Sequence, residues 1–157
     1  PADAASIAAL KKINVAVVPL ATGTHFLELN MVNVPSFGDK DVPLLQKIAQ
    51  QVMWLVLADT KITDAGFESL KSCANITRLN LKNTAITNAS IPWIAQFSKL
   101  EYLNMVGTKI DDAGLLGLAP SATLKKIFCW QSGITANGVM VFQKKYPSIQ
   151  IEFGGKK

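Results

Sequence analysis

The sequence predicts an α/β solenoid: a right-handed superhelix of strand–helix coils, with a parallel sheet on the concave face and helices on the convex face. Two observations carry this expectation. Apolar triplets recur at a fixed interval, since Leu55-Val56-Leu57, Leu79-Asn80-Leu81, Leu103-Asn104-Met105 and Ile127-Phe128-Cys129 each lie 24 residues after the last. The same frame then follows every triplet: a hydroxyl at Thr60, Thr84, Thr108 or Ser132, an isoleucine at Ile62, Ile86, Ile110 or Ile134, and a polar turn such as Thr63-Asp64-Ala65-Gly66. A fixed period of this kind is the sequence mark of a repeat architecture.

The elements follow in chain order within a single domain spanning residues 1–157. Residues 1–24 read as an N-terminal cap, in which Asp3 precedes a helix carrying Ile7, Leu10 and Ile13 on one face. An apolar strand from Val15 to Val18 comes next and stops at Pro19. Residues 25–148 hold about five repeats. The first opens with Leu27-Glu28-Leu29 and Val34, and extra residues around Phe37-Gly38-Asp39-Lys40 lengthen it before the next copy. Alternation in each Leu-x-Leu sends both apolar side chains to one side of a strand. The Thr or Ser of the turn is placed to bond backbone groups that the bend leaves unpaired. Asp64, Asn88 and Asp112 are the expected helix caps, and Pro92 falls in a first helical turn, where a missing N–H is tolerated. Phe67 with Leu70, Ile91 with Ile94, Leu115 with Leu118 and Val139 with Phe142 mark one buried helix face each. Ala119-Pro120 and Tyr146-Pro147 end their helices. Residues 149–157 give a last strand, Ile149-Gln150-Ile151-Glu152-Phe153, and a short tail. Degenerate ends of this sort are what a solenoid needs to cover its terminal hydrophobic faces.

Composition narrows the function. Of 157 residues, 49% are hydrophobic and 17% charged, which fits a packed body rather than a disordered chain. The net charge of +5 raises the question of nucleic acid. Arg78 is the sole arginine, however, and the lysines are scattered in pairs such as Lys11-Lys12, Lys125-Lys126 and Lys144-Lys145. Base readout and phosphate tracking favour arginine and a basic stripe, so no nucleic-acid partner is expected. No apolar run approaches the roughly 20 residues that cross a bilayer, so direct membrane insertion is not expected either. The opening Pro1-Ala2-Asp3-Ala4-Ala5-Ser6 lacks the basic and apolar regions of a signal peptide.

Reactive groups are sparse. His25 is the one histidine, so no Ser-His-Asp, Cys-His or histidine-rich metal site assembles by familiar spacing. Asp59, Asp64, Asp111 and Asp112 recur at turns and helix starts, without the spacing of a calcium loop. Phe153-Gly154-Gly155-Lys156-Lys157 lacks phosphate-loop spacing and reads as tail. Asn75-Ile76-Thr77 and Asn88-Ala89-Ser90 match the glycosylation acceptor pattern, which bears only on a secreted eukaryotic protein. Cys129 takes the second inward position of its triplet and Cys73 a helix end, so two free thiols are expected. The expectation is a non-enzymatic chain with no cofactor and no metal.

The open face of the sheet is where function is expected. Side chains between and beside the inward leucines point away from the core. They include His25, Phe26, Glu28 and Asn30, then Met53, Trp54, Val56 and Asp59, then Thr77, Arg78, Asn80 and Lys82. Glu101, Tyr102, Asn104 and Val106 follow, and finally Lys125, Lys126, Phe128, Trp130 and Gln131. From these, Phe26, Glu28, Trp54, Val56, Arg78, Asn80, Tyr102, Asn104, Phe128 and Trp130 form the candidate partner-binding set. Exposed rings in such number mark a surface with a role, and aromatics with arginine are what interfaces enrich. The partner classes left open are another protein or a neighbouring domain of the same polypeptide, or a polysaccharide stacking sugars on Trp54, Tyr102 and Trp130. A structural spacer with an inert sheet face is the remaining reading.

The period of 24 residues lies inside the range of leucine-rich repeats, and Thr in place of the usual Asn before Thr-Asp-Ala-Gly resembles their cysteine-containing class. Three stretches, Asn33 to Lys40, Leu57-Ala58-Asp59-Thr60-Lys61-Ile62-Thr63-Asp64-Ala65-Gly66 and Leu103-Asn104-Met105-Val106-Gly107-Thr108-Lys109-Ile110, resemble the C-terminal repeat region of bacterial planctomycete-type cytochrome c domain proteins. Ile127-Phe128-Cys129-Trp130-Gln131-Ser132-Gly133-Ile134-Thr135 is similar to that region's closing block, and the likeness extends over residues 13–153. The resemblance implies an interaction module in a larger protein, periplasmic or extracellular. Cys129 stands where that group tends to have Leu, and Ser90 replaces one turn glycine. No Cys-x-x-Cys-His occurs, so the resemblance carries over no haem site.

Overall fold

The computed structural model describes residues 3–154; the tail residues 155–157 and the opening Pro1-Ala2 lie outside the described residues. The chain is a mixed α/β structure built on one seven-stranded sheet whose strands follow sequence order. Helix α1 (Ala4–Lys12) leads into β1 (Ala16–Pro19) and β2 (Leu27–Asn30), and a 3-10 segment, Asp39–Gln51, precedes β3 (Val52–Val56). Then come α2 (Asp64–Phe67), prolonged as the 3-10 turn Glu68–Ser72, β4 (Arg78–Asn80), a 3-10 turn Asn88–Ser90 running into α3 (Ile91–Ile94), and β5 (Tyr102–Asn104). The chain closes with α4 (Asp112–Gly117), β6 (Lys126–Phe128), α5 (Ala136–Lys145) and β7 (Gln150–Glu152).

From β2 to β7 every neighbouring pair is parallel, and Leu55, Leu79, Leu103 and Ile127 stand in register as successive rungs. All four are buried, as are Leu57, Leu81, Met105 and Cys129 in the second inward row. The helix-side residues Phe67, Leu70, Ile91, Ile94, Leu115, Leu118 and Phe142 close the same core, with Phe67 and Phe97 edge to face at 6.3 Å. Asp3 caps α1 as expected, accepting from the Ser6 N–H at 2.8 Å, and Leu10 is buried beneath that helix.

The first strand pair departs from the expected all-parallel sheet: β1 runs antiparallel to β2, pairing Val17 with Leu29 and Val18 with Glu28. The cause is chain length. Only residues 20–26 join the two strands, whereas a parallel return needs a crossover of about a dozen residues or more. β1 ends at Pro19 as expected, with the proline as its last residue, which an edge strand permits.

Each coil turns on the same two devices. The hydroxyls of Thr60, Thr84, Thr108 and Ser132 donate to the carbonyls of Leu57, Leu81, Met105 and Cys129 at 2.7, 2.7, 2.8 and 2.6 Å. The residue before each of these hydroxyls (Asp59, Asn83, Gly107 or Gln131) takes a positive φ between 55° and 67°. Asp and Asn tolerate that left-handed conformation better than most side chains. At Gly107 a side chain would also strike the Asn83 amide oxygen.

The caps differ from expectation. Thr63, Thr87, Asp111 and Thr135, not Asp64, Asn88 and Asp112, occupy the N-cap positions, with extended backbone and side chains accepting from the first turn. Asp64, Asn88 and Asp112 sit one residue inside the helices and reach across to the next coil. The Asp64 carboxylate accepts from Thr87 N and Oγ1 at 3.0 and 2.7 Å, and that of Asp112 from Thr135 N and Oγ1 at 2.7 Å each. Asp39 serves Thr63 in the same way at 2.8 and 2.6 Å, and Asn88 exchanges two bonds with Asp111. These acids and amides form a polar ladder that stitches each coil to its successor. The ladder explains the turn glycines: a methyl group on Gly66, Gly114 or Gly138 would collide with the side-chain oxygen of Asp39, Asn88 or Asp112. Ser90 fills the same place in the odd copy and donates its hydroxyl to Asp64 at 2.5 Å.

Candidate functional site

Sheet register lines the open face into two rows. One row runs Glu28, Trp54, Arg78, Tyr102, Lys126 and Gln150; the other runs Asn30, Val56, Asn80, Asn104, Phe128 and Glu152. Between them lies an open groove of about 260 Å³ whose lining includes Glu28, Trp54, Val56, Arg78, Asn80, Tyr102, Asn104 and Phe128. Eight of the ten residues picked from the sequence therefore share one depression.

Arg78 is the centre of the groove. Its guanidinium carbon lies 4.3 Å from the Trp54 ring centroid and 4.6 Å from that of Tyr102, so the group is sandwiched between the two rings. Each such contact contributes about 0.5–1 kcal/mol at an exposed site. The sandwich follows from the repeat itself, because residues 24 apart become neighbours across adjacent strands. Farther along, Lys126 lies 4.8 Å from the Phe128 centroid and pairs with Glu152 at 2.9 Å. Lys125 pairs with Glu101 at 2.9 Å, and the resulting hydrogen bond and charge push the Lys125 pKa above its ordinary value.

The asparagines of the second row serve the backbone as well as the face. Asn30, Asn80 and Asn104 accept from the N–H groups of Val32, Lys82 and Val106, each at 3.0 Å. Those bonds hold the amide groups in fixed orientation.

Two of the ten residues lie outside the groove. Phe26 is exposed ahead of β2, and Trp130 sits in the turn after β6 with its ring 6.0 Å from that of Phe128. Val106, expected on the open face, is fully buried. Strand β5 ends at Asn104, so the in–out alternation no longer applies two residues later. His25 is exposed near Phe26, away from the groove lining.

Both cysteines are buried and free. Burial pushes each thiol up to about 11. At neutral pH a water-soluble disulfide reagent is expected to label neither thiol in the folded chain and both in denaturant. Rapid labelling of the native protein would contradict this placement. Among the described residues no helix is long and apolar enough to cross a membrane.

No family model matches the chain, and no curated protein matches it. Among solved structures, an internalin from Listeria monocytogenes is similar, with a TM-score of 0.56 at 18% sequence identity. The match covers 72% of this chain and 31% of the internalin, so the chain spans under a third of that protein. The likeness bears on architecture and supports a leucine-rich-repeat-like fold.

Proposed function

We propose that the chain is a leucine-rich-repeat solenoid serving as a non-enzymatic protein-interaction module, with its open sheet face as the concave docking surface. The observation that carries this reading is the Trp54–Arg78–Tyr102 sandwich at the centre of a groove that Phe128 also lines, with Trp130 beyond it against Phe128. Arginine and large rings are the residues on which binding energy concentrates, and a sheet face without a role rarely exposes them together. The partner is a second protein or a neighbouring domain of the same polypeptide. The resemblance to planctomycete-type cytochrome c domain proteins supports placement in a larger protein outside the cytoplasm.

The acid–base inventory supports the non-enzymatic reading. His25 is exposed away from the groove, and Asp39, Asp64, Asp111 and Asp112 are engaged in the turns and the ladder. A polysaccharide is less favoured, because the guanidinium occupies one face of each ring on which a sugar would stack. The test is selection of binders from a random linear peptide library displayed on phage, followed by titration against the Trp54→Ala/Trp130→Ala double variant. Affinity is expected to fall at least about tenfold while the fold, followed by circular dichroism, is retained. Undiminished binding would refute the sheet-face reading and leave the chain as a spacer or move the contact elsewhere.

A further inference from the structure

We propose that the partner docks by presenting a single side-chain carboxylate, from an aspartate or a glutamate, to the N–H donors of the Arg78 guanidinium. The proposal rests on the sheet-face reading above and names the chemistry recognised there. Arg78 is exposed, and among the described residues it has neither a hydrogen-bond nor an ion-pair partner. With Trp54 and Tyr102 both against the guanidinium carbon, the group is held in place while its N–H donors stay free for an incoming acceptor. A guanidinium carries a planar fork of N–H donors, which matches the two oxygens of a carboxylate. The stacked rings also fix the side chain before the partner arrives, which lowers the ordering cost of docking.

The rest of the groove is consistent with an acceptor as the incoming group. The side-chain oxygens of Asn80 and Asn104 are tied to the backbone N–H groups of Lys82 and Val106. Both residues line the groove, and their Nδ2 donors hold no hydrogen bond among the described residues. The lining sets the count at one. Arg78 is the only cation among the described residues that line the groove, and Lys82 lies outside that lining. Lys126 and Lys125 are matched by Glu152 and Glu101. Glu28 lines the same groove, and its charge would repel a polyanion while one carboxylate at Arg78 is accommodated.

The peptides selected above provide the test. In each, the Asp or Glu is replaced by Asn or Gln, and both forms are titrated against the native chain and against Arg78→Gln and Arg78→Lys. The expected result is an acidic residue common to the selected peptides, whose replacement weakens binding to the native chain at least about tenfold. Against Arg78→Gln the two peptide forms should bind equally, and Arg78→Lys should not restore the difference, because lysine lacks the planar fork. Because the peptide-side replacement needs no protein variant, the outcome does not depend on how Arg78 variants fold. Trp54-dependent peptides that lack an acid, or that tolerate its loss, would overturn the carboxylate inference and leave the sheet-face reading standing. Failure to enrich any peptide that depends on Trp54 and Trp130, or binding confined to neutral glycans on an array, would overturn both.

Discussion

Leu103→Ala is expected to lower the unfolding free energy by about 3–5 kcal/mol, whereas Tyr102→Ala, one position earlier, should cost about 1 kcal/mol. The two residues share a strand and occupy opposite sides of the sheet. Leu103 is fully buried between Leu79 and Ile127, so truncation leaves a cavity that neighbouring coils cannot fill without shifting the whole stack. Tyr102 is half-buried on the open face, where its ring lies 4.6 Å from the Arg78 guanidinium carbon. Urea unfolding of the two variants measures the contrast. Binding should reverse the order, since Tyr102→Ala removes one wall of the sandwich. Equal destabilisation by the two changes would mean that the sheet has no open side at this strand.

The second large effect is expected at Asp64. Asp64→Ala should cost about 2–3 kcal/mol, because it strands Thr87 N–H, the Thr87 hydroxyl and the Ser90 hydroxyl at one junction between coils. The same site makes stability depend on acid. Burial works against the Asp64 charge, yet the hydrogen bonds from Ser90 and Thr87 outweigh it and hold the carboxyl below its ordinary value. Asp111 is lowered as well, by the Asn88 amide and the Gly114 N–H. A pKa that is lower in the folded than in the unfolded chain contributes stability that is fully present above the unfolded value, about 4. That contribution disappears as the pH falls through the folded value. The urea midpoint should therefore drop below about pH 4, and Asp64→Asn should show a shallower drop. An unchanged acid profile in Asp64→Asn would remove Asp64 from the ladder's energetics.

What the sequence makes legible is whatever depends on the period. The rungs Leu55, Leu79, Leu103 and Ile127, the turn hydroxyls and the buried helix faces all follow from local alternation repeated every 24 residues. The groove set follows for the same reason, since an outward residue in one coil is beside its counterpart in the next. Features that depend on the meeting of coils are harder to read. Thr63 and Asp64 are both good capping residues, and only the approach of the next coil decides that Thr63 caps while Asp64 reaches toward Thr87. A usable signal is present all the same: Asp64, Asn88 and Asp112 each stand 26 residues before a small residue, at Ser90, Gly114 and Gly138, where the reaching side chain arrives. The Arg78 sandwich was also encoded, because Trp54, Arg78 and Tyr102 are successive 24-residue neighbours. The antiparallel first pair lies outside the repeat frame, although the short link of residues 20–26 already points to it in the sequence. Val106 escaped because its strand ends too early for alternation to apply.

The most direct measurement of the central claim is a map of backbone and side-chain NMR shifts as a selected peptide is titrated into the labelled chain. The account predicts changes centred on Trp54, Arg78, Tyr102 and Phe128, fading toward the helices. The opposite side offers a clear contrast, because Leu116, Met140 and Val141 are exposed apolar residues on α4 and α5. Shifts gathered around those three, with the Arg78 and Trp54 side chains unmoved, would contradict the assignment of the sheet face as the docking surface.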